Sequence, residues 1–326
     1  MFTRRAWAAA GLALFSTLVS TSALAFSKLV VFGDSLSDNG NTYAKVGDTF
    51  PVDPYLPGRF SNGQVAVEVM AQQLGITLQD YAHGGALTGT GNYLEARNPV
   101  TLASLANTGM SSQVGANLGA SGFQADAAAL YVVWGGGNDF LQALDTGSVA
   151  AIQAAGYQAV VNLTTEIATL YQAGARHFFV PTLPDFAFSY AGVNSPALVQ
   201  AQLSGMTAQF NAGVATQLSF LQGAYAGLDI QTFDTNAFLS GVRQGIVQQG
   251  GTLTERCWTG AYDGTGGTLC SDPSRYFLFD SVHPTAGVHH GLGVAFAAAV
   301  PEPDAVILAL TGLVVTGAAA LRQRRT

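Results

Sequence analysis

Charge is what this sequence has least of. Asp, Glu, Lys and Arg make up 10% of its 326 residues, and 20 acids against 13 bases leave a formal net charge of −7. No basic stripe exists to meet a line of phosphates, which excludes nucleic acid as a partner. Cysteine is nearly absent as well, with Cys257 and Cys270 alone. Two thiols with no histidine cluster beside them are too few for a zinc site. In a chain with the export signals described below, an isolated pair reads as a disulfide. It would close the Gly/Thr-rich loop 258–269 and contribute ~3 kcal/mol. Asp34, Asp38 and Asp48 are the only calcium candidates and lack a loop pattern for that ion, so neither metal nor cofactor is expected. No repeat of solenoid length occurs.

What the chain does have begins at its ends. Arg4 and Arg5 precede an apolar run over 6–18, and Ala23-Leu24-Ala25 follows. A basic start, a short apolar core and an A-x-A site make a secretory signal peptide over residues 1–25. The run is shorter than the roughly 20 residues a spanning helix needs, which disfavours a permanent anchor. At the other end, Pro301-Glu302-Pro303 leads into an uncharged stretch, 305–321, closed by Arg322, Arg324 and Arg325. An apolar segment with a basic stop is suited to crossing a bilayer with the arginines on the cytoplasmic side. Residues 300–326 resemble a PEP-CTERM sorting signal. That resemblance implies export across the inner membrane of a Gram-negative bacterium, transient anchoring, and an exosortase-type protease as partner at the tail.

Residues 26–299 between these signals suit one α/β domain. Apolar β-type runs at 28–32, 77–82, 127–134, 177–181 and 228–233 alternate with helical stretches at 65–74, 149–173, 197–221, 236–247 and 286–300. The second helical stretch carries Gly156, a candidate break. Continuous apolar strands alternating with helices indicate a parallel sheet covered on both faces. In such sheets the site lies outside the carboxyl ends of the strands. Three of the runs end there in polar, glycine-rich turns: Gly33-Asp34-Ser35, His83-Gly84-Gly85 and Gly137-Asn138-Asp139.

Ser35, in a tight turn after a buried strand, would expose its Oγ at the sheet edge. N–H groups at a helix start beyond it would face a developing oxyanion; Ser35 as a simple helix cap is the alternative. A serine needs a base, because its free hydroxyl is a weak nucleophile. His283 is a candidate, with Asp280 three residues upstream to orient the ring. Pro284 suits a first helical position, and Asp280 as a helix cap with His283 on the surface is the alternative there. His83, His177, His289 and His290 read as structural.

Taken together, these segments resemble the GDSL/SGNH hydrolases, in the branch of bacterial extracellular esterases, phospholipases and acyltransferases. The blocks are Gly33-Asp34-Ser35-Leu36, residues 58–63, Asp80 to Ala86, Gly136-Gly137-Asn138-Asp139, Leu183-Pro184-Asp185 and Asp280 to Thr285. Asp80 stands where the family usually has Asn, which bears on local hydrogen bonding. The resemblance implies a three-layer αβα, flavodoxin-like fold with a central parallel sheet. It implies Ser35 as nucleophile, His283 as general base and Asp280 as its orienting carboxylate. It also implies an oxyanion hole from the N–H groups of Ser35 and Gly85, with Gly84 the neighbouring alternative, and the Asn138 amide.

The expected function is a secreted serine ester hydrolase acting on lipid or short acyl esters through an acyl-enzyme. Two alternatives stand beside it: a carbohydrate esterase that deacetylates extracellular polysaccharide, and a matrix-binding module that has lost activity.

Overall fold

The computed structural model describes residues 26–300. The signal peptide read over 1–25, the sorting tail beyond Val300 and its apolar segment 305–321 lie outside the described residues. Among those described, no helix is long and apolar enough to cross a membrane. In chain order the elements are β1 (Lys28–Gly33), α1 (Asn41–Lys45), α2 (Ala66–Leu74), β2 (Thr77–Asp80), α3 (Tyr93–Arg97), α4 (Met110–Ala120), β3 (Leu130–Trp134), α5 (Gly137–Leu144), α6 (Val149–Gln172) and β4 (His177–Pro181). They continue with α7 (Tyr190–Val193), α8 (Ala197–Ala224), β5 (Asp229–Phe233), α9 (Thr235–Gln248), β6 (Thr252–Arg256), β7 (Tyr276–Leu278) and α10 (Ala286–Ala299).

Strands β1 to β5 form one parallel sheet in the order β2-β1-β3-β4-β5. This is the flavodoxin-like order, and its direction of winding reverses between β1 and β3, where the crevice opens. Side chains alternate across the sheet. Leu29, Val31, Val132 and Phe179 face α2 and α10, while Val30, Phe32, Val133 and Phe178 face α4, α6 and α8. The inner strands β1, β3 and β4 are therefore buried on both faces, which is why they read as apolar runs rather than alternating ones, while the edge strands β2 and β5 are partly exposed. The three-layer αβα architecture follows.

Several elements differ from their sequence reading. Gly156 does not break α6, which runs unbroken from Val149 to Gln172. A Cβ at position 156 would lie 2.9 Å from the Phe140 ring, so the glycine makes room for an aromatic instead. Helix α4 and the small parallel pair β6-β7 have no counterpart in the sequence reading. The pair is zipped to the loop closed by the Cys257–Cys270 disulfide, through Cys257 N–H donating to Leu278 O at 3.1 Å and Trp258 N–H to Phe279 O at 2.6 Å.

At the end of β2, Asp80 turns its carboxyl inward. Oδ1 accepts from Ala82 N–H at 2.8 Å, and Oδ2 is buried with no partner. Burial pushes this carboxyl well above the usual carboxylate range, and the nearby Asp38 pushes it further. Burial thus favours the neutral acid, a planar group of the same shape as an asparagine side chain. A group whose pKa is raised on folding contributes stability below its unfolded pKa and loses it as pH rises through the folded value. Asp80→Asn should therefore raise Tm at pH 8 and leave it nearly unchanged near pH 4. Melts of the variant and the parent from pH 4 to 9 check this, and a difference independent of pH would contradict it.

Candidate active site

Strand β1 is buried from Leu29 to Gly33 and delivers the chain to a tight turn. Ser37 and Asp38 N–H both donate to Asp34 O at 3.0 Å, and Leu36 N–H donates to Asp34 Oδ1 at 3.1 Å. No helix begins at Ser35: the next one, α1, starts at Asn41. The turn goes no further, because Asp38 Oδ1 takes the N–H groups of Gly40 and Asn41 at 2.9 and 2.8 Å and Gly40 turns the chain at φ +130°. Gln113 of α4 clamps the strand end, accepting from Gly33 N–H and donating to Gly33 O, each at 2.9 Å. Ser35 is thereby held at the carboxyl edge of the sheet, 9% exposed.

The segment after β7 approaches from the other end of the chain. Phe279 N–H donates to His283 O at 2.8 Å, and Leu278 bridges to Pro284 in antiparallel fashion. Asp280 Oδ1 accepts from Val282 N–H at 2.9 Å and His283 N–H at 2.8 Å. Asp280 thus caps a turn rather than a helix. Pro284 is not the first helical residue either, because its carbonyl is taken by Ser61 Oγ at 2.8 Å and α10 begins only at Ala286. Ala286 N–H donates to Asn62 Oδ1 at 2.8 Å. The 58–63 stretch therefore pins the start of α10, and Gly293 lets that helix lie against Ala66 O and Val69 of α2 with no Cβ between them.

These two segments meet. His283 Nδ1 lies 2.7 Å from Asp280 Oδ2, and His283 Nε2 lies 2.8 Å from Ser35 Oγ. With the Nδ1 proton given to the carboxylate, Nε2 is left to accept from the serine hydroxyl. Asp280 and His283 are 4% and 3% exposed, so the contact is shielded from water. Burial by itself would raise the Asp280 carboxyl, but the charge of the imidazole and the hydrogen bonds from His283 and Val282 hold it below the usual range. The His283 ring is flanked by Phe60 at 5.2 Å and Tyr262 at 6.0 Å.

The remaining sequence candidates line the same cleft: Ser35, Gly85, Asn138 and His283 all border it, with Leu36, Leu141, Leu183, Phe186 and Phe277 among its apolar walls. Gly84 and Gly85 are now distinguishable. Gly84 N–H is committed to Asp38 Oδ2 at 2.8 Å and Thr42 Oγ1 at 2.7 Å, whereas Gly85 N–H has no acceptor among the described residues. Position 85 has φ +78°, and a Cβ there would lie 2.6 Å from Asn92 Oδ1, so the local backbone and packing require glycine. Asn138 Nδ2 donates to Ala86 O at 3.0 Å, which ties the start of α5 to the glycine loop. Asp139 strengthens that tie through Thr88 N–H at 3.0 Å and Thr88 Oγ1 at 2.8 Å. Burial pushes both Asp139 and Asp34 up to about 6.

The other histidines take no part. His289 Nδ1 accepts from Ala66 N–H at 3.2 Å, and burial lowers this imidazole to about 3. His177 pairs with Asp229, and His290 is exposed. Burial lowers His83 to about 4, with Lys45 adding to the effect, and its Nδ1 has no partner. Among the described residues no group of His, Cys, Asp and Glu is placed to hold a metal ion. Sequence reasoning missed Gln113, Tyr262 and Tyr55, whose hydroxyl reaches Asp280. All three act across long sequence separations and carry no local motif.

Comparison with known proteins places this architecture. The model of the GDSL-like Lipase/Acylhydrolase family matches residues 29–295. Esterase EstA of Pseudomonas aeruginosa is 32% identical over 324 residues, covering 85% of this chain and 47% of its own. The chain spans about half the length of the Pseudomonas relatives it matches. The GDSL esterase/lipase APG of Arabidopsis thaliana is 28% identical over 345 residues, covering 86% of this chain and 95% of its own. The solved phospholipase A1 of Streptomyces albidoflavus aligns with a TM-score of 0.45 at 16% identity, over 85% of this chain and 100% of that one. With nearly all of the described domain matched by the family model, the chain belongs to the GDSL-like lipase/acylhydrolase family.

Proposed function

We propose that this protein is an exported serine ester hydrolase that works through Ser35, His283 and Asp280. The observation that carries the reading is the unbroken relay of contacts, 2.8 Å from Ser35 Oγ to His283 Nε2 and 2.7 Å from Nδ1 to Asp280. His283 takes the hydroxyl proton as Oγ attacks the ester carbonyl, and Asp280 stabilises the imidazolium that forms. The carbonyl oxygen, now an oxyanion, is met by the N–H groups of Ser35 and Gly85. Asn138, whose Nδ2 spends one N–H on Ala86 O, adds the other. Collapse of the tetrahedral species expels the alkoxide, which takes the proton from His283. Water, deprotonated by the same imidazole, then hydrolyses the acyl-enzyme.

The cleft walls favour an apolar acyl group, since aliphatic and aromatic side chains dominate them. A polysaccharide deacetylase would meet a hydroxyl-rich chain with more polar donors and acceptors, and a binding module would have no need of the complete relay. The signals at the two ends support export, with the sorting tail cut by an exosortase-type protease and the product placed at the cell surface or in the matrix. The Cys257–Cys270 bond is in keeping with an oxidising compartment.

Purified protein should hydrolyse p-nitrophenyl butyrate, and Ser35→Ala should lower kcat by roughly 10⁴-fold or more; an active Ser35→Ala protein would point to another nucleophile. Asn138→Ala should cost about 2.7–4 kcal/mol in the barrier, read as a loss in kcat at nearly constant KM; a rise in KM alone would give the amide a binding role instead. Across a series of p-nitrophenyl esters, butyrate and longer chains should exceed acetate in kcat/KM. Faster acetate release from acetylated xylan than from any of these would overturn the apolar assignment.

A further inference from the structure

We infer that Tyr55 is a positioning residue for the Asp280–His283 pair, locking the carboxylate through its phenolic hydroxyl; this rests on the catalytic reading of Ser35, His283 and Asp280 given above. Tyr55 Oη donates to Asp280 Oδ2 at 2.9 Å. The same oxygen faces His283 Nδ1 at 2.7 Å, while Oδ1 takes the two backbone N–H groups of Val282 and His283. Four donors thus saturate the carboxylate. Three of them come from the turn 280–283 itself and move with it. Tyr55 is the one that comes from a distant part of the chain, and it fixes the carboxylate to the rest of the protein.

The phenol is built for that task. Tyr55 is 2% exposed and packs edge-on against Phe279 at 4.9 Å and Tyr262 at 5.8 Å. Its own segment is closed by Tyr55 N–H to Val52 O at 3.0 Å and Leu56 N–H to Ser61 O at 2.9 Å, and it is stitched to the disulfide loop by Val52 N–H to Tyr262 O at 3.0 Å. Burial and the adjacent Asp280 charge push the phenol far up, so it keeps its proton and only donates. Tyr55 is buried behind Asp280 and is not among the side chains that border the cleft. Its loss would free Asp280 Oδ2 on one side and leave a buried carboxylate partly unpaired. The imidazole would then be aimed less well, while the walls that bind substrate would be unchanged.

The test compares the parent, Ser35→Ala, Tyr55→Phe and Tyr131→Phe with a p-nitrophenyl ester. Tyr131 is the control, a buried tyrosine whose hydroxyl donates at 3.1 Å to Asp126 O and which lies outside the cleft lining. Tyr55→Phe should lower kcat on the order of tenfold with KM within about twofold, and Tyr131→Phe should leave both unchanged. In an Asp280→Asn background, Tyr55→Phe should have little further effect, because the carboxylate it holds is gone. Equal kcat in Tyr55→Phe and the parent overturns the role of Tyr55, as does an undiminished tenfold loss in the Asp280→Asn background or a loss confined to KM. The parent and Ser35→Ala separate this from the underlying reading. Turnover that requires Ser35 alongside a neutral Tyr55→Phe removes Tyr55 alone, and turnover that survives Ser35→Ala removes both.

Discussion

One hydrogen bond joins residues 248 positions apart, Ser35 on the turn after β1 and His283 on the turn before α10. Much of the architecture bears on the length of that contact. Its serine end is held by a strand buried on both faces and by the grip of Gln113 on Gly33. Its histidine end depends on where α10 lies, hence on the packing of α10 against α2 and on Asn62 and Ser61 at the helix start. A hydrogen bond weakens steeply with misalignment. The rigidity of the αβα layers is therefore what turns two short motifs into one site.

Polar groups under the cleft form a second support. Asp38, Asp139 and Asp280 each bind backbone N–H groups of turns that border it. Buried carboxylates are costly unless their acceptors are satisfied, and here the acceptors are spent on loop backbone that has no sheet or helix to join. Burial raises Asp38 and Asp139, while Asp280, which alone faces an imidazole, is held low. The same residue type thus serves as a scaffold in two places and as a charged partner in the third, and the neighbour decides which.

The parallel sheet and its two covered faces are legible because its three inner strands, β1, β3 and β4, are apolar runs closed by Gly33, Gly135 and Pro181, a local signal, whereas the edge strands β2 and β5 carry polar residues. The site residues were legible for a related reason: each sits in the first few residues after a strand or in the turn before the last helix, with glycine or Asp beside it. Legibility failed where the cause is distant. Gly156 reads as a helix break until the Phe140 ring is placed beside it. Residue types suggest a helix start after Ser35, but the turn ends within four residues, where Asp38 Oδ1 takes the N–H groups of Gly40 and Asn41 and Gly40 turns the chain at φ +130°. Tyr55 lies in a proline-rich loop with no period at all, and only folding shows that its hydroxyl reaches a carboxylate 225 residues away.

The most direct measurement is covalent. A fluorophosphonate probe reacts with a serine only when a base withdraws its proton and donors receive the phosphonyl oxygen. Peptide mass spectrometry of the labelled protein should find the adduct on Ser35 and nowhere else, and His283→Ala should abolish it. An adduct on a different residue, or labelling of Ser35 that persists without His283, would contradict the account.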